Sequence, residues 1–198
     1  MISYMLDNNI MSVNIYSVVT GLLLPWLTHG QDPTTICQPP QIQVSFYNFL
    51  DMTYGIYSID FTKSLAAKVE ALSQIRTVYD FKTFIAYDIT SSGNCTKHAM
   101  SWTEVITQCL PASAKKVSPD NVYLGYGSEK INIQTWQIDL INVTLQVAFT
   151  FGTNPVYPLV RHAYRPDFKT PASIVIFYNS ENAVNPSQFI IPSSCITP

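Results

Sequence analysis

The chain has 198 residues, with 11 Lys plus Arg against 13 Asp plus Glu and a net charge of −2. Its length suits one sizeable core, and it has no basic stripe that could neutralise a run of phosphates, which argues against a nucleic-acid partner. Charged residues make up 12% and aromatics 13%, against roughly a quarter charged in ordinary soluble domains, so Ser, Thr, Asn and Gln must supply the polarity, an extracellular style of surface.

From Ile15 to Leu27 the sequence IYSVVTGLLLPWL is apolar, too short for the roughly 20 residues of a membrane span but suited to a signal-peptide core. Thr28 and Gly30 are small enough for the −3 and −1 positions of a cleavage site. The expected organisation is therefore a signal peptide over about residues 1–30 and one secreted β domain over 31–198. Met1 to Asn14 lacks Lys and Arg and carries Asp7, which departs from an ordinary leader, and a start at Met11 would partly remove the anomaly. The alternative, a buried segment of the fold, fits poorly with the turn-like THGQDP that follows. No later segment reads as a membrane span.

After Cys37 the dominant period is two. Strands are expected at Ile42–Leu50, Tyr54–Phe61 and Ala66–Leu72. The third lies within SLAAKVEALS, whose Ala, Leu, Lys and Glu favour a helix on propensity alone, but hairpin spacing on either side favours a strand. From Tyr79 to Ile89 the residues Tyr79, Phe81, Thr83, Ile85, Tyr87 and Ile89 alternate with polar or small ones, Phe84 excepted, and read as one strand face. Ser91-Ser92-Gly93-Asn94 reads as a tight turn into Cys95–Met100, and Tyr126-Gly127-Ser128-Glu129 as another after Val122–Tyr126. Ile131 and Ile133 are out of register with Trp136, Ile138 and Leu140, so a bulge is expected near Thr135. Val143, Leu145, Val147, Phe149 and Phe151 alternate without a break. Thr153 to Pro171, with four prolines, Arg161 and Arg165, reads as irregular loop with at most a short edge strand at Val156–Arg161, before a last strand at Ser173–Tyr178. The total is about nine or ten strands.

Cys37, Cys95, Cys109 and Cys195 form an even set with no C-x-x-C pair, so two disulfides are expected outside the cytoplasm, with all three pairings open. Asn94-Cys95-Thr96 and Asn142-Val143-Thr144 are glycosylation sequons. Asn142 is the better candidate, because a Cys in the middle of the triplet makes the first less efficient.

The C-terminal run IVIFYNSENAVNPSQFIIPSSC, Ile174 to Cys195, has an aromatic strand, an acidic/Asn turn, Asx-Pro-x-x-Phe and a Pro-Ser-x-Cys close. With Cys37-Gln-Pro-Pro, Asn94-Cys95-Thr96-Lys97 and Gln134-Thr135-Trp136 in the same order, the chain resembles the ependymin-related family over about Cys37 to Cys195. The resemblance implies a secreted glycoprotein of two stacked, strongly curved antiparallel sheets. Together these would form a half-barrel, similar to bacterial lipoprotein carriers, with an apolar cleft. It also implies dimerisation and association with calcium and extracellular matrix. By the family's pattern Cys95 pairs with Cys195, which leaves Cys37 with Cys109. That second pair departs from the pattern, whose partner for the first cysteine falls near Val156-Tyr157-Pro158, where this chain has none.

Catalytic candidates are sparse. His29, His98 and His162 are the histidines, and neither a Gly-x-Ser-x-Gly elbow nor a His-Glu-x-x-His helix occurs. Paired carboxylates would have to be assembled from Asp51, Asp60, Asp80, Asp88, Glu104 and Asp139. An Asp-x-Asp-x-Asp-Gly loop is absent, so calcium would bind weakly through scattered oxygens. No cofactor is required. The excess lies in aromatics, and Tyr57, Phe81, Tyr87, Trp102, Trp136, Phe149, Phe151 and Phe177 are the candidates for a ligand cleft. The expected function is non-catalytic binding of a lipid or fatty-acid-like molecule. The alternative is a calcium-associated matrix or adhesion protein whose cleft is not functional.

Overall fold

Alternation of apolar and polar side chains is realised in strands that all pair antiparallel with their neighbours. A computed structural model describes residues 31–101, 104–120, 122–165, 167 and 171–195. The expected leader, with Met1, Met11 and His29, therefore lies outside the described residues. The chain divides into the units Met1–Asp32 and Pro33–Pro198, and the architecture below is that of the second.

Five hairpins in succession make the first meander: β1 (Gln41–Asn48), β2 (Thr53–Asp60), β3 (Leu65–Glu70), β4 (Arg76–Asp80), β5 (Ile85–Ile89) and β6 (Cys95–Ala99). After the short β7 (Lys115–Lys116) and β8 (Val122–Leu124), a second meander follows: β9 (Ile131–Asp139), β10 (Thr144–Thr150), β11 (Pro158–Tyr164) and β12 (Pro171–Glu181). β12 pairs with β11 on one side and β1 on the other, so the two expected sheets are hydrogen-bonded into one. The twelve-stranded sheet runs β6-β5-β4-β3-β2-β1-β12-β11-β10-β9-β7, with β8 also on β9, and is not closed.

The turns of the first meander share one device. Met52, Ser64, Gln74 and Phe84 have φ of 53°, 61°, 53° and 55°, and each stands at or just before the start of the next strand. A type I turn followed by a left-handed residue reverses the chain with the twist that antiparallel strands need, at a conformational cost for any residue with a Cβ. Side chains at the strand ends offset part of that cost. Asn48 Oδ1 accepts from the Leu50 N–H (3.2 Å), Asp60 Oδ1 from the Lys63 N–H (3.2 Å) and Asp80 Oδ1 from the Lys82 N–H (2.9 Å).

Three expectations are corrected here. Tyr79 to Ile89 is a hairpin, not a strand: Tyr79 pairs with Ala86 across β4 and β5, and Phe84 breaks the alternation because it is the left-handed turn residue. Against β10, β9 keeps an unbroken register from Asp139 to Ile133, with no bulge at Thr135. Gln134 and Trp136 are buried while Ile131 stays 45% exposed. The bulges fall instead at Gln43/Ser45, Ala148/Phe149 and Ala163/Tyr164. The proline-rich stretch contains β11, an interior strand of seven residues. Its proline stands at the first position, where a missing ladder donor is tolerated.

The sheet buries both faces. On one, Ile42 and Val44 (β1), Ile59 (β2), Ala66 (β3), Tyr79 (β4) and Ala86 (β5) form a core. A second cluster, Ile36, Leu110, Ala114, Trp136, Val147 and Phe149, packs beside the second meander. On the opposite face Ala67, Val78 and Ile89 are covered by the C-terminal segment through Phe189 and Cys195. That segment is held by the Cys95–Cys195 disulfide and by Ser58 Oγ on Gln188 Oε1. Arg76 Nη1 also donates to the carbonyls of Ser187, Gln188 and Ile190 at 3.3, 2.7 and 2.8 Å.

Candidate functional site

β6 and β7 lie at opposite edges of the sheet, so the chain between them has to cross it. Met100 and Ile106 pack on the first-meander core and Leu110 and Ala114 on the second cluster, which makes this crossing a strap over one face. Cys37–Cys109 pins it. Around that bond the Gln38 N–H donates to Gln108 O (2.8 Å), the Leu110 N–H to Ile36 O (3.1 Å) and the Val156 N–H to Cys37 O (3.3 Å).

Beneath the strap is a cavity of about 110 Å³ that opens to solvent. Its walls are Ile42 and Val44 of β1, Tyr57 and Ile59 of β2, Ile138 of β9, Leu145, Val147 and Phe149 of β10, and Phe177 of β12. Val105, Ile106 and Leu110 of the strap close it, and Gln38, Thr107 and Arg161 add polar atoms. Phe46 meets Tyr57 edge-on at 5.2 Å, and Tyr57 stacks on Tyr79 at 6.5 Å. Burial, with the neighbouring Tyr57 phenol, pushes the Tyr79 phenol far above its ordinary 10.0, so it stays neutral.

Of the eight cleft candidates, Tyr57, Phe149 and Phe177 line the cavity. Trp136 is buried with Val147 and Phe149, and Phe81 packs against the first-meander core. Tyr87 does not belong: the hairpin at residues 81–84 sends it to the opposite face, against the cluster of Val78, Phe189 and Cys195. Phe151 lies one residue past the end of β10 and is 43% exposed. Trp102 is outside the described residues. The aliphatic walls and the strap were missed because weight was placed on aromatics, and Arg161 because its prolines suggested a loop. The legible signal was the alternation of Ile42 with Val44 and of Leu145 with Val147.

A second hollow of about 350 Å³ is lined by Lys68, Glu70, Thr77, Asp88, Thr90 and Thr96 together with Ile75 and Cys95, among others, with Lys68 Nζ 2.7 Å from Glu70 Oε1. Near it, at the edge strand, His98 Nδ1 is 3.5 Å from Asp88 Oδ2 and its Nε2 3.8 Å from Glu104 Oε1. Ser101 Oγ donates to Glu104 Oε2 at 2.8 Å, which adds a hydroxyl to this partly exposed polar cluster. Asp51 accepts from Asn48 Nδ2 at 2.6 Å, and Asp139 pairs with Lys115 at 3.1 Å. Among the described residues no group of three or more His, Cys, Asp or Glu could hold a metal ion, and no helix is long and apolar enough to cross a membrane. Asn94 and Asn142 are both exposed, each in a hairpin turn.

His162 stands on the face opposite the cavity, between Gln146 and Ile174, with its ring 3.8 Å from that of Tyr164 and its Nε2 buried without a partner. Burial pulls its pKa below the ordinary 6.5, so as pH falls the unfolded chain takes up this proton first and stability drops with it. His162→Gln is expected to flatten the urea-unfolding free energy between about pH 7 and pH 5 relative to the parent. Parallel curves for the two proteins would contradict the assignment.

No protein-family model matches the chain, and no curated protein matches it.

Proposed function

We propose that this chain is a secreted, non-catalytic protein of the ependymin-related type. It binds a hydrophobic ligand, lipid or fatty-acid-like, on the strap-covered face of a sheet bent into a half-barrel. The observation that carries the reading is the cavity. Tyr57 of β2 and Ile138 of β9 line one hollow although five steps separate their strands in the sheet. At about 4.8 Å per step a flat sheet would hold them about 24 Å apart, so a common cavity supports strong bending. Apolar walls with a few polar groups are the usual composition of a ligand site.

A cavity of about 110 Å³ seats the end of an apolar chain, since full ligand sites run to about 300 Å³ or more. The remainder would lie in the open mouth. Two disulfides fit an oxidising compartment, and the exposed Asn142 and Asn94 fit glycosylation. Dimerisation, calcium and matrix contacts belong to the same family-based reading.

The test is mass spectrometry of small molecules extracted from the protein as secreted by cultured cells, with Leu145→Trp as comparison. Leu145 lines the cavity from β10, so an indole there should lower lipid recovery by about tenfold, the loss expected from about 1.4 kcal/mol of blocked burial. An empty parent protein would defeat the carrier reading and favour the calcium-associated matrix protein.

A further inference from the structure

Among the described residues, Arg161 is the one charged side chain lining the cavity. It stands on β11 with Val147 and Val175, both buried, as its cross-strand partners. Its Nε is buried and has no hydrogen-bond partner. Among the described residues, none of the six ion pairs includes it and no carboxylate lines the cavity. A guanidinium set into an apolar wall loses hydration without compensation, and a buried donor with no acceptor is the costly case of a hydrogen bond. A pocket for a wholly neutral ligand would gain by an aliphatic side chain there.

We propose that Arg161 receives the carboxylate of a single-chain anionic amphiphile whose apolar chain occupies the cavity. The guanidinium is planar, permanently charged and presents Nε–H beside an Nη–H, a fork that matches the two oxygens of a carboxylate. Binding would satisfy the orphaned Nε–H and neutralise the charge in one step, while the aliphatic walls take the chain. Head group and tail are thus read by different parts of one site. This assignment rests on the hydrophobic-ligand reading above and narrows it to acids.

The experiment is calorimetric titration of the purified, disulfide-intact protein with decanoate, decanol and decyl phosphate, repeated with Arg161→Met and Arg161→Lys. The parent is expected to bind decanoate about 10-fold or more tighter than decanol, the gain typical of a hydrogen bond to a charged group. Arg161→Met should lose the preference and bind acid and alcohol equally, and Arg161→Lys, which keeps the charge but loses the fork, should fall between. Equal binding of acid and alcohol by the parent, or an undiminished preference in Arg161→Met, overturns the assignment. Tighter binding of decyl phosphate than decanoate overturns the carboxylate. Failure of all three compounds with the parent overturns the hydrophobic-ligand reading itself. Should Arg161→Met not fold, the parent's acid-to-alcohol ratio and Arg161→Lys decide.

Discussion

A protein carrying Cys95→Ala and Cys195→Ala is expected to lose about 4–5 kcal/mol of stability, the chain-entropy value for closing a loop of this size. The two cysteines are 100 residues apart in sequence. Their bond does more than shorten the unfolded chain: it holds the segment that covers Ala67, Val78 and Ile89 on the outer face of the first meander. In the native state without it, Arg76, Ser58, the Ser194 hydroxyl on the Gly93 carbonyl (3.2 Å) and the packing of Val184, Phe189 and Ile191 retain that cover. Equilibrium urea unfolding measures the loss. A decrease under about 1 kcal/mol would mean the C-terminal segment is held by packing alone. Opening should also be local at first, so amide exchange at Val78 and Ile89 should rise before exchange in β9 and β10.

The second large effect is expected at Asp60, whose side chain is fully buried. Burial alone would raise its pKa, but hydrogen bonds outweigh burial and hold the carboxyl below its ordinary 3.8. They come from Thr62 Oγ1, from Gln41 Nε2 at 2.9 Å, and from the Lys63 N–H and ammonium. Asp60→Ala leaves these donors without an acceptor at the mouth of the β2–β3 turn and should cost about 3–4 kcal/mol, since each bond to a charged group is worth about 1.5–3 and the set is not additive. Asp60→Asn keeps the shape and should cost about half as much. Because the folded value is depressed, the carboxylate's contribution is present above the unfolded value and is lost as pH falls through the folded one. The gap between parent and Asp60→Asn should therefore close below about pH 4 in urea titrations. A gap constant down to pH 2 would show that charge has no part in it.

The asymmetry between what was legible and what was not has a physical source. Period-two alternation announced β10 correctly, and the hairpin spacing around SLAAKVEALS outweighed helix propensity, because an interior strand with Ala66 and Ala67 fully buried is set by its neighbours. The turn at residues 81–84 was missed because Phe81-Lys82-Thr83-Phe84 holds no Gly, Pro, Asn or Asp, the residues by which turns are read. Its signal lay one residue earlier, in Asp80, as it lay in Asn48 and Asp60 for two other turns. β11 was hidden for the opposite reason: prolines at 155, 158, 166 and 171 suggested disorder of the ladder where they only bracket it. Of the site, the walls contributed by Tyr57, Phe149 and Phe177 could be anticipated from large apolar side chains on strands. The strap could not, since residues 104–110 have no regular period and are placed by a disulfide and by backbone bonds to residues 36–38.

The pairing of β1 with β12 sets an order of events during synthesis. β1 begins at Gln41 and its inner neighbour in the sheet ends at Glu181, so the central seam of the molecule waits until residue 181 has left the ribosome. Until then the flank of β1 that will meet β12 presents unpaired amides and carbonyls, a template for pairing with another chain. Such late, long-range closure is slow relative to hairpin formation, which makes the interval before the last strand arrives the period of greatest exposure to aggregation.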